Sequence, residues 1–342
     1  MSSTSDDEPD AASDVRVIDR LRAIARRPEF GALVGAVAVY IFFSIVTAGN
    51  GFVSFAGTAG WLNIAAELGI VAIPVAMLMI GGEFDLSIGS LIGATSVFIA
   101  IATGHYGVPV ELSILATLVL GVLVGLFNGI VTIRTGLPSF IVTLVSLLAL
   151  AGTALGLSRL LVGTPNVSLR TEGFVRDVFA ARWGQANVSI LWWLLVAAIA
   201  GWMLTRTRFG NWVLATGGDV GAAREAGVPT DRVKIALFVG TALGAVLVGI
   251  IQTFEFNGGE ATRGQVYVFN SIIAAVIGGV FLQGGYGSAV GVTLGTMTYG
   301  IVSLGIYYTG WNSDWAQLLL GILLLSAVLT NSMFHKLALK SR

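Results

Sequence analysis

The sequence contains no cysteine, only two histidines and few charged residues. The lack of cysteine excludes disulfides, thiolate nucleophiles and Cys-ligated zinc or iron–sulfur sites, and His105 and His335 alone cannot build a histidine-rich metal site. Only 11% of the 342 residues are charged and 55% are hydrophobic, whereas a soluble domain carries about 25% charged residues. The composition therefore predicts a polytopic integral membrane protein that resides in a lipid bilayer.

Two further absences exclude classes of function. Nineteen Lys and Arg balance nineteen Asp and Glu, so no basic field attracts nucleic acid, and no nucleic-acid partner is expected. The three lysines are Lys234, Lys336 and Lys340, and none follows a glycine. The Gly-Lys-Ser/Thr element of a phosphate-binding loop is therefore missing. If ATP drives this protein, another chain binds it. With no Ser–His pair or metal-spaced histidines either, the chain is not predicted to be an enzyme.

Apolar runs long enough for transmembrane helices recur along most of the chain. A span needs about 20 mostly apolar residues, and we predict about ten spans. In the N-in/C-in orientation, fourteen of the 19 basic residues are cytoplasmic and five are external, as the positive-inside rule requires. The predicted spans are 32–47, 62–80, 86–103, 112–133, 139–162, 189–204, 233–254, 271–282, 289–308 and 315–329.

The spans divide the chain into a cytoplasmic polar N-terminal tail (1–29), a transmembrane domain (30–334) and a cytoplasmic C-terminal tail (335–342). Because the polar tail and five arginines precede the first span, that span is predicted to be a retained signal-anchor. An external loop (about 163–188) is expected to hold a short helix and to cap the pathway. The longest cytoplasmic loop is about 206–232.

A Gly-Gly-Glu-Phe-Asp-Leu-Ser-Ile-Gly-Ser run occupies 81–90, at the predicted cytoplasmic turn between the second and third spans. Asp85 and Ser87 precede an apolar helix, where such residues cap free N–H groups. Alternatively, they belong to a gate, because carboxylates at membrane depth are usually functional. We expect Asp85 to act mainly as a cap and Glu83 as a pathway or partner contact. Our candidates for the pathway or gate are Glu83, Asp85, Ser87, Asn128 and Asn270.

The cytoplasmic loop has the pattern of a short, capped helix. Asp219 can cap its start, Gly227 can end it in the left-handed conformation, and Pro229 prevents its continuation. Thr230 or Asp231 is expected to cap the next span. The helix is either a connector at the lipid interface or a docking element for a partner. Elsewhere, glycines at small-xxx-small spacing, such as Gly121, Gly125 and Gly129, predict close helix packing.

Several of these stretches resemble the membrane permeases of ribose/xylose/arabinose-type ABC importers, the carbohydrate-uptake group of binding-protein-dependent transport inner-membrane components. The 81–90 run resembles the family's Gly-Gly-Ile-Asp-Leu-Ser-Val-Gly-Ser signature, with Glu83-Phe84 in place of its single Ile. Asn270 stands where many relatives have an acidic residue. The similarity extends in family order over about 63–331, through 138–144, 207–210, 215–234, 274–279 and 284–288.

The resemblance implies an all-α, type II-like ABC importer permease bundle in the bacterial inner membrane. Its expected partners are a second permease copy or homologue, a cytoplasmic ABC ATPase that binds ATP and Mg²⁺, and a periplasmic sugar-binding protein. No cofactor is expected on this chain. The implied function is a translocation pathway for a sugar or similar small polar solute. The ATPase-coupling helix it implies comprises Asp219, Ala222, Ala223, Arg224, Glu225, Ala226 and Gly227.

One alternative from another class stays open. In a proton-coupled secondary transporter or channel, Glu67, Glu83, Asp85 or Glu255 would carry protons or line a pore. That class does not require a coupling helix, and it predicts transport without an ATPase.

Overall fold

The computed structural model describes residues 28–340, with side chains from 29 to 329. The predicted tail 1–29 therefore lies outside the described residues except for its last two positions, as do 341–342. The described chain is almost wholly helical. Its helices are α1 (Pro28–Val46), α2 (Phe55–Ile80), α3 (Ile88–Ile99), α4 (Val110–Thr135), α5 (Ser139–Val162), α6 (Phe174–Ala180), α7 (Ser189–Arg206), α8 (Arg208–Gly218), α9 (Val220–Glu225), α10 (Thr230–Glu255), α11 (Tyr267–Ile277), α12 (Ala289–Thr309) and α13 (Trp315–Lys340).

Four short strands lie at one end of the bundle. They are β1 (Asn166–Ser168), β2 (Arg182–Trp183), β3 (Ala186–Asn187) and β4 (Gly258–Glu260). β1 pairs antiparallel with β4, with Val167 opposite Gly259, and β2 and β3 form a small hairpin. Three of the strands and α6 belong to the predicted external loop, so the expected short helix is present.

Eight helices of the described chain are long and apolar enough to cross a membrane, and α11 and the described start of α13 are shorter apolar helices. Each predicted span corresponds to one of these ten helices, and the prediction of an all-α integral membrane protein is confirmed. α3 continues to His105 as a π-helical segment (Ala100–His105). α13 extends to Lys340, so the predicted C-terminal tail begins inside a helix.

The predicted span 271–282 is wrong in its extent. α11 is only 11 residues long and ends at Ile277. Gly278 follows as its C-cap, and Gly279 has a φ of +88°, a conformation open to glycine and strained for other residues. The chain then turns through Gly284 and Gly285, both with positive φ, before α12 begins. The Gly-rich sequence thus ends the helix before it reaches full membrane thickness.

Burial divides the helices into a core and a lipid-facing layer. Most residues of α2 are buried, and α10 and α12 also lie largely inside. By contrast, α1, α4, α5 and α7 expose large apolar side chains, for example Leu123, Leu148 and Leu160. Exposed apolar faces are stable when the surrounding solvent is hydrocarbon, so this outer layer fits a bilayer.

Glycines allow the close approach of α4 to α10. A Cβ at Gly125 would lie 2.6 Å from the Cα of Val239, and a Cβ at Gly121 would lie 2.7 Å from the Val246 side chain. The predicted packing role of this glycine ladder is confirmed. Gly240 and Gly244 have the same small-xxx-small spacing and the same predicted role, but Gly240 has no atom within 4 Å of its Cβ position.

Candidate functional site

A polar cavity of about 500 Å³ opens at the end of the bundle that carries the strands, which is the predicted external side. Its walls come from the first half of α2, the β2–β3 hairpin, the last turn of α10, the start of α11 and one residue of α12. The polar lining residues are Asn63, Glu67, Arg182, Gln185, Asn187, Gln252, Glu255, Arg263, Tyr267, Asn270 and Tyr299. Polar groups this dense among transmembrane helices are a feature of solute and ion pathways.

Three side chains form a hydrogen-bonded cluster in the cavity wall, which we name the acceptor cluster: Glu67, Gln252 and Tyr267. Gln252 Nε2 donates to Glu67 Oε2 at 2.6 Å and to the Tyr267 hydroxyl at 2.7 Å. The Tyr267 hydroxyl in turn donates to Glu67 Oε2 at 3.0 Å. The cluster therefore joins α2, α10 and α11 at one point of the cavity.

The β2–β3 hairpin lies over the rim of the cavity and is held there by hydrogen bonds to α2 and α10. Asn187 Nδ2 donates to Glu255 Oε1 at 2.7 Å, and Arg182 lies 3.4 Å from the same carboxylate. Asn63 holds the hairpin from α2, since its Nδ2 donates to the carbonyl of Gln185 at 2.8 Å. This position agrees with the expectation that the external loop caps the pathway, which stays a prediction.

Two other cavity residues, Arg263 and Asn270, donate hydrogen bonds to neighbouring groups of the chain. The guanidinium of Arg263 donates to the backbone carbonyls of Gly258 and Gln252 and stacks over the ring of Phe256 at 5.0 Å. Burial lowers the pKa of Arg263, an effect that the nearby Glu260 carboxylate opposes. Asn270 Nδ2 donates to the Tyr299 hydroxyl at 2.6 Å.

A second polar group of residues is buried near the opposite end of the bundle. Asp85, which is 2% exposed, accepts from the Ser87 amide at 2.9 Å, the Ser87 hydroxyl at 2.6 Å and the Thr241 hydroxyl at 2.6 Å. Asn128 donates to Ser87 Oγ and accepts from Ser146. Burial raises the pKa of Asp85 above its ordinary value, and its hydrogen bonds to Ser87 and Thr241 oppose this rise. The network ties α3, α4, α5 and α10 together.

Glu83 lies beside this network and forms an ion pair with Lys234, near the start of α10. Both side chains are mostly buried, with 12% and 15% of their surfaces exposed. Ion pairs shielded in this way need both partners, because a single buried charge is costly. Glu83 therefore binds α10 to the turn after α2.

The end of α2, the end of α8 and the α11–α12 turn meet at the end of the bundle that carries the Asp85 network. We name the four glycines at this point the glycine contact: Gly82, Gly217, Gly284 and Gly285. The Gly285 amide donates to the carbonyl of Ile80 at 2.8 Å. A Cβ at Gly217 would collide with that carbonyl and with the Gly285 nitrogen, and a Cβ at Gly284 would lie 2.8 Å from the Gly217 carbonyl. Only glycine allows the ends of α2 and α8 and the α11–α12 turn to approach this closely.

The short helix α9 projects from the glycine contact. Asp219 Oδ1 accepts from the Ala222 amide at 3.0 Å, and Gly227 has a φ of +82°. Both features of the predicted helix are thus confirmed. The predicted cap of the next helix is wrong: α10 begins at Thr230 without a side-chain cap. Thr230 and Asp231 instead accept from Arg224, at 2.9 and 2.6 Å, and so tie α9 to α10.

A comparison with known proteins identifies the family. The model for "Branched-chain amino acid transport system / permease component" matches residues 57–328. The chain is 30% identical to the fructose import permease protein FrcC of Rhizobium meliloti, over 90% of this chain and 86% of the relative. It is 28% identical to the xylose transport system permease protein XylH of Haemophilus influenzae (86% and 94%) and 27% identical to the ribose import permease protein RbsC of Escherichia coli (86% and 92%). No solved structure matches the chain.

The chain belongs to this permease family. The predicted resemblance is therefore confirmed, and the permease is a multi-pass protein of the inner membrane that serves as the translocation component of a transport system. No finding favours the alternative of a proton-coupled transporter or channel.

The structure separates the residues that we predicted for the pathway or gate of the permease. Asn270 lines the outer cavity. Asp85, Ser87 and Asn128 lie in the buried network, where they join helices, and Glu83 is paired with Lys234. A gating role for these four residues stays a prediction.

The predicted coupling residues of the permease fall on α9 and its two ends. Asp219, Ala222, Arg224, Glu225, Ala226 and Gly227 are exposed. Ala223 is different, since it is 4% exposed and faces the protein. Its side chain is therefore not available to a partner, and a bulky residue there would disturb the permease itself.

Most of the cavity residues were missed by the pathway prediction. Glu67 and Glu255 were considered only for the alternative function, and Gln252 and Tyr267 were not considered. A usable signal was present, because Glu67 and Gln252 are long polar side chains inside otherwise apolar runs. Their proximity depends on how α2 and α10 pack, which one sequence does not reveal.

Proposed function

We propose that the permease is the membrane-spanning subunit of an ATP-driven ABC importer for a sugar or similar small polar solute. A periplasmic binding protein delivers the solute, and a cytoplasmic ATPase binds ATP and Mg²⁺. The names of the relatives support the solute class, since they denote fructose, xylose and ribose permeases. A second permease copy or homologue completes the membrane part.

The observation that carries the ATP-driven mechanism is the exposed helix α9. It is capped at Asp219, ended by Gly227 and braced against α10 by Arg224, so it projects as a defined element and not as a loose loop. The chain has no phosphate-binding loop of its own. A capped, exposed helix on the predicted cytoplasmic face is what a separate ATPase subunit needs as a docking point.

The outer cavity supplies the entrance of the proposed pathway. Gln252 lies 22 residues along α10 from Thr230, the residue at which α9 is braced, and at 1.5 Å per residue the two are about 33 Å apart. The docking helix and the cavity thus lie at opposite ends of the same helix. The glycine contact joins α8, and through it α9, to the end of α2 and to the turn after α11, and both of these helices line the cavity. Movement of the docked ATPase would reach the cavity through these contacts.

The docking role is tested by Ala222→Trp. Ala222 is exposed on α9, so the indole would obstruct a partner's groove without entering the core of the permease. Overpacking of this kind typically costs about 1–3 kcal/mol, which would fall on the complex. The matched control is Ala198→Trp, the same change at an exposed position of α7.

The measurement is the amount of ATPase that copurifies with tagged permease at matched membrane levels, with sugar uptake followed in parallel. We expect copurified ATPase and uptake to fall for Ala222→Trp and to stay near wild type for Ala198→Trp. Undiminished copurification and undiminished uptake with Ala222→Trp would refute docking at α9.

A further inference from the structure

The hydrogen-bonding capacity of the acceptor cluster is unbalanced. Both N–H groups of the Gln252 amide are used, one on Glu67 and one on Tyr267. The single hydroxyl proton of Tyr267 is used on Glu67. Tyrosine has one such proton and a glutamine amide has two. Every donor of the Gln252 amide and of the Tyr267 hydroxyl is therefore engaged within the chain, and what remains on these two groups is acceptor capacity.

The clearest free acceptor is Gln252 Oε1. Gln252 is 3% exposed, and its Oε1 has no hydrogen-bond partner among the described residues. In this orientation the amide nitrogen donates to both Glu67 Oε2 and the Tyr267 hydroxyl. A buried polar atom without a partner costs about 1–3 kcal/mol. Since Gln252 lines the cavity, a donor group of a solute is the partner that would remove this cost.

The two arginines of the cavity, Arg263 and Arg182, do not outweigh the acceptor groups of the cluster. Arg263 donates to two backbone carbonyls, and Arg182 is paired with Glu255. An anionic solute near Arg182 would meet the Glu255 carboxylate paired with it, and one near Arg263 would meet the Glu260 carboxylate 3.8 Å away. It would also approach the carboxylates of Glu67 and Glu255, which line the same cavity. The ring of Tyr267 adds apolar surface on which the C–H face of a solute can pack.

We infer that the acceptor cluster makes the permease itself selective for uncharged polyhydroxylated solutes and against their anionic derivatives, such as sugar acids and sugar phosphates. A hydroxyl group both donates and accepts, so it satisfies Gln252 Oε1, whereas a carboxylate or phosphate oxygen is an acceptor only. When an acceptor oxygen of the solute faces Gln252 Oε1, neither atom receives a hydrogen bond. The permease then discriminates between solutes by repulsion as well as by attraction. This selectivity adds a second filter after the binding protein, and it rests on the proposed function.

The test measures binding to the full-length permease in lipid nanodiscs by saturation-transfer-difference NMR, without the binding protein. The probes are D-xylose and D-glucuronate, which share ring stereochemistry and differ by a carboxylate on C5. We expect D-xylose to bind at least about tenfold more tightly than D-glucuronate.

Gln252→Leu removes the free acceptor and should weaken the binding of D-xylose about three- to tenfold. Gln317→Leu, the same change at an exposed position of α13, is the control and should have no effect.

Glu67→Gln provides the second variant, in case Gln252→Leu yields little folded protein. It replaces a carboxylate with an amide of the same shape, which offers N–H donors, so the preference for D-xylose over D-glucuronate should shrink. Equal binding of the two probes to wild type, no binding of D-xylose, or an unchanged preference in Glu67→Gln would overturn the inference. If uptake nevertheless depends on ATP and on docking at α9, the proposed function survives and only the selectivity filter falls.

Discussion

At the scale of single residues, the permease shows two ways to keep a carboxylate among membrane helices. Asp85 is buried and receives three hydrogen bonds, while Glu83 is paired with Lys234. Hydrogen bonds are electrostatically stronger in a low-dielectric interior, and an unpaired polar group there is correspondingly costly. Both carboxylates thereby become connections between helices. The Asp85 network joins four helices and is the stronger candidate for a stability role.

The first prediction concerns Asp85. Asp85→Ala removes the acceptor for the Ser87 amide and for two hydroxyls, and we expect a loss of about 1–3 kcal/mol. Asp85→Asn keeps one carbonyl oxygen for Ser87 and can donate to the Thr241 hydroxyl, so its loss should be smaller. Folded yield and melting temperature in detergent provide the measurement, and equal values for the two variants would contradict the bonding described here.

The contrast between Asp85 and Glu67 shows what the sequence can reveal at this scale. The predicted cap by Ser87 is wrong, because Ser87 is the N-cap residue of α3 and its side chain makes no cap bond. Asp85 sits directly before this apolar helix, where a cap was also predicted. The structure gives it the amide of Ser87, but its contact with Thr241 depends on the packing of α10. Glu67 has no local partner in sequence, since Gln252 and Tyr267 are 185 and 200 residues away. Such long-range clusters appear only when the helices are assembled.

At the scale of helices and turns, glycine determines where elements end and how closely they approach. α9 was predictable because Asp219 and Gly227 carry local end signals. α8 was not predicted, since Gly217 and Gly218 favour a turn although they form its last residues. α11 was predicted too long, because an apolar sequence continues beyond Gly279 while the backbone does not stay helical. Capping residues and glycines in the sequence therefore predict helix ends better than hydropathy does.

The second prediction compares neighbouring glycines in the glycine contact. In Gly217→Ala, the new methyl group would collide with the Ile80 carbonyl and the Gly285 amide, whereas Gly218→Ala places it in open space. We expect Gly217→Ala to lose about 1–3 kcal/mol of stability and Gly218→Ala to resemble wild type. Fluorescence-detected size-exclusion profiles of the two variants measure this difference. Normal profiles for Gly217→Ala would show that the glycine contact does not pack as described.

At the scale of the whole molecule, the permease places its polar cavity and its docking helix at opposite ends of the bundle. The charge distribution assigns these two ends to opposite sides of the membrane, because the five basic residues on the external side include Arg182 and Arg263 of the cavity, and the cytoplasmic set includes Arg224 of α9. The orientation of the ends relative to the membrane stays a prediction.

The third prediction tests that orientation with single cysteines, against a background that has none. Ser168→Cys on β1 and Ala222→Cys on α9 both place the thiol at an exposed position. A membrane-impermeant maleimide should label Ser168→Cys in intact cells and Ala222→Cys only after the inner face is opened. Labelling of Ser168→Cys from the cytoplasmic side alone would reverse the topology.

The source of energy for uptake tests the central claim most directly. Cells that express the complete transporter would be supplied with radiolabelled D-fructose, D-xylose or D-ribose, and uptake of whichever sugar is transported would be compared under two treatments. One treatment depletes ATP while the proton gradient is held, and the other collapses the gradient while ATP is held. An ATP-driven permease predicts that uptake stops in the first case and persists in the second. Uptake that persists without ATP and stops when the gradient collapses would contradict the account and identify a proton-coupled transporter.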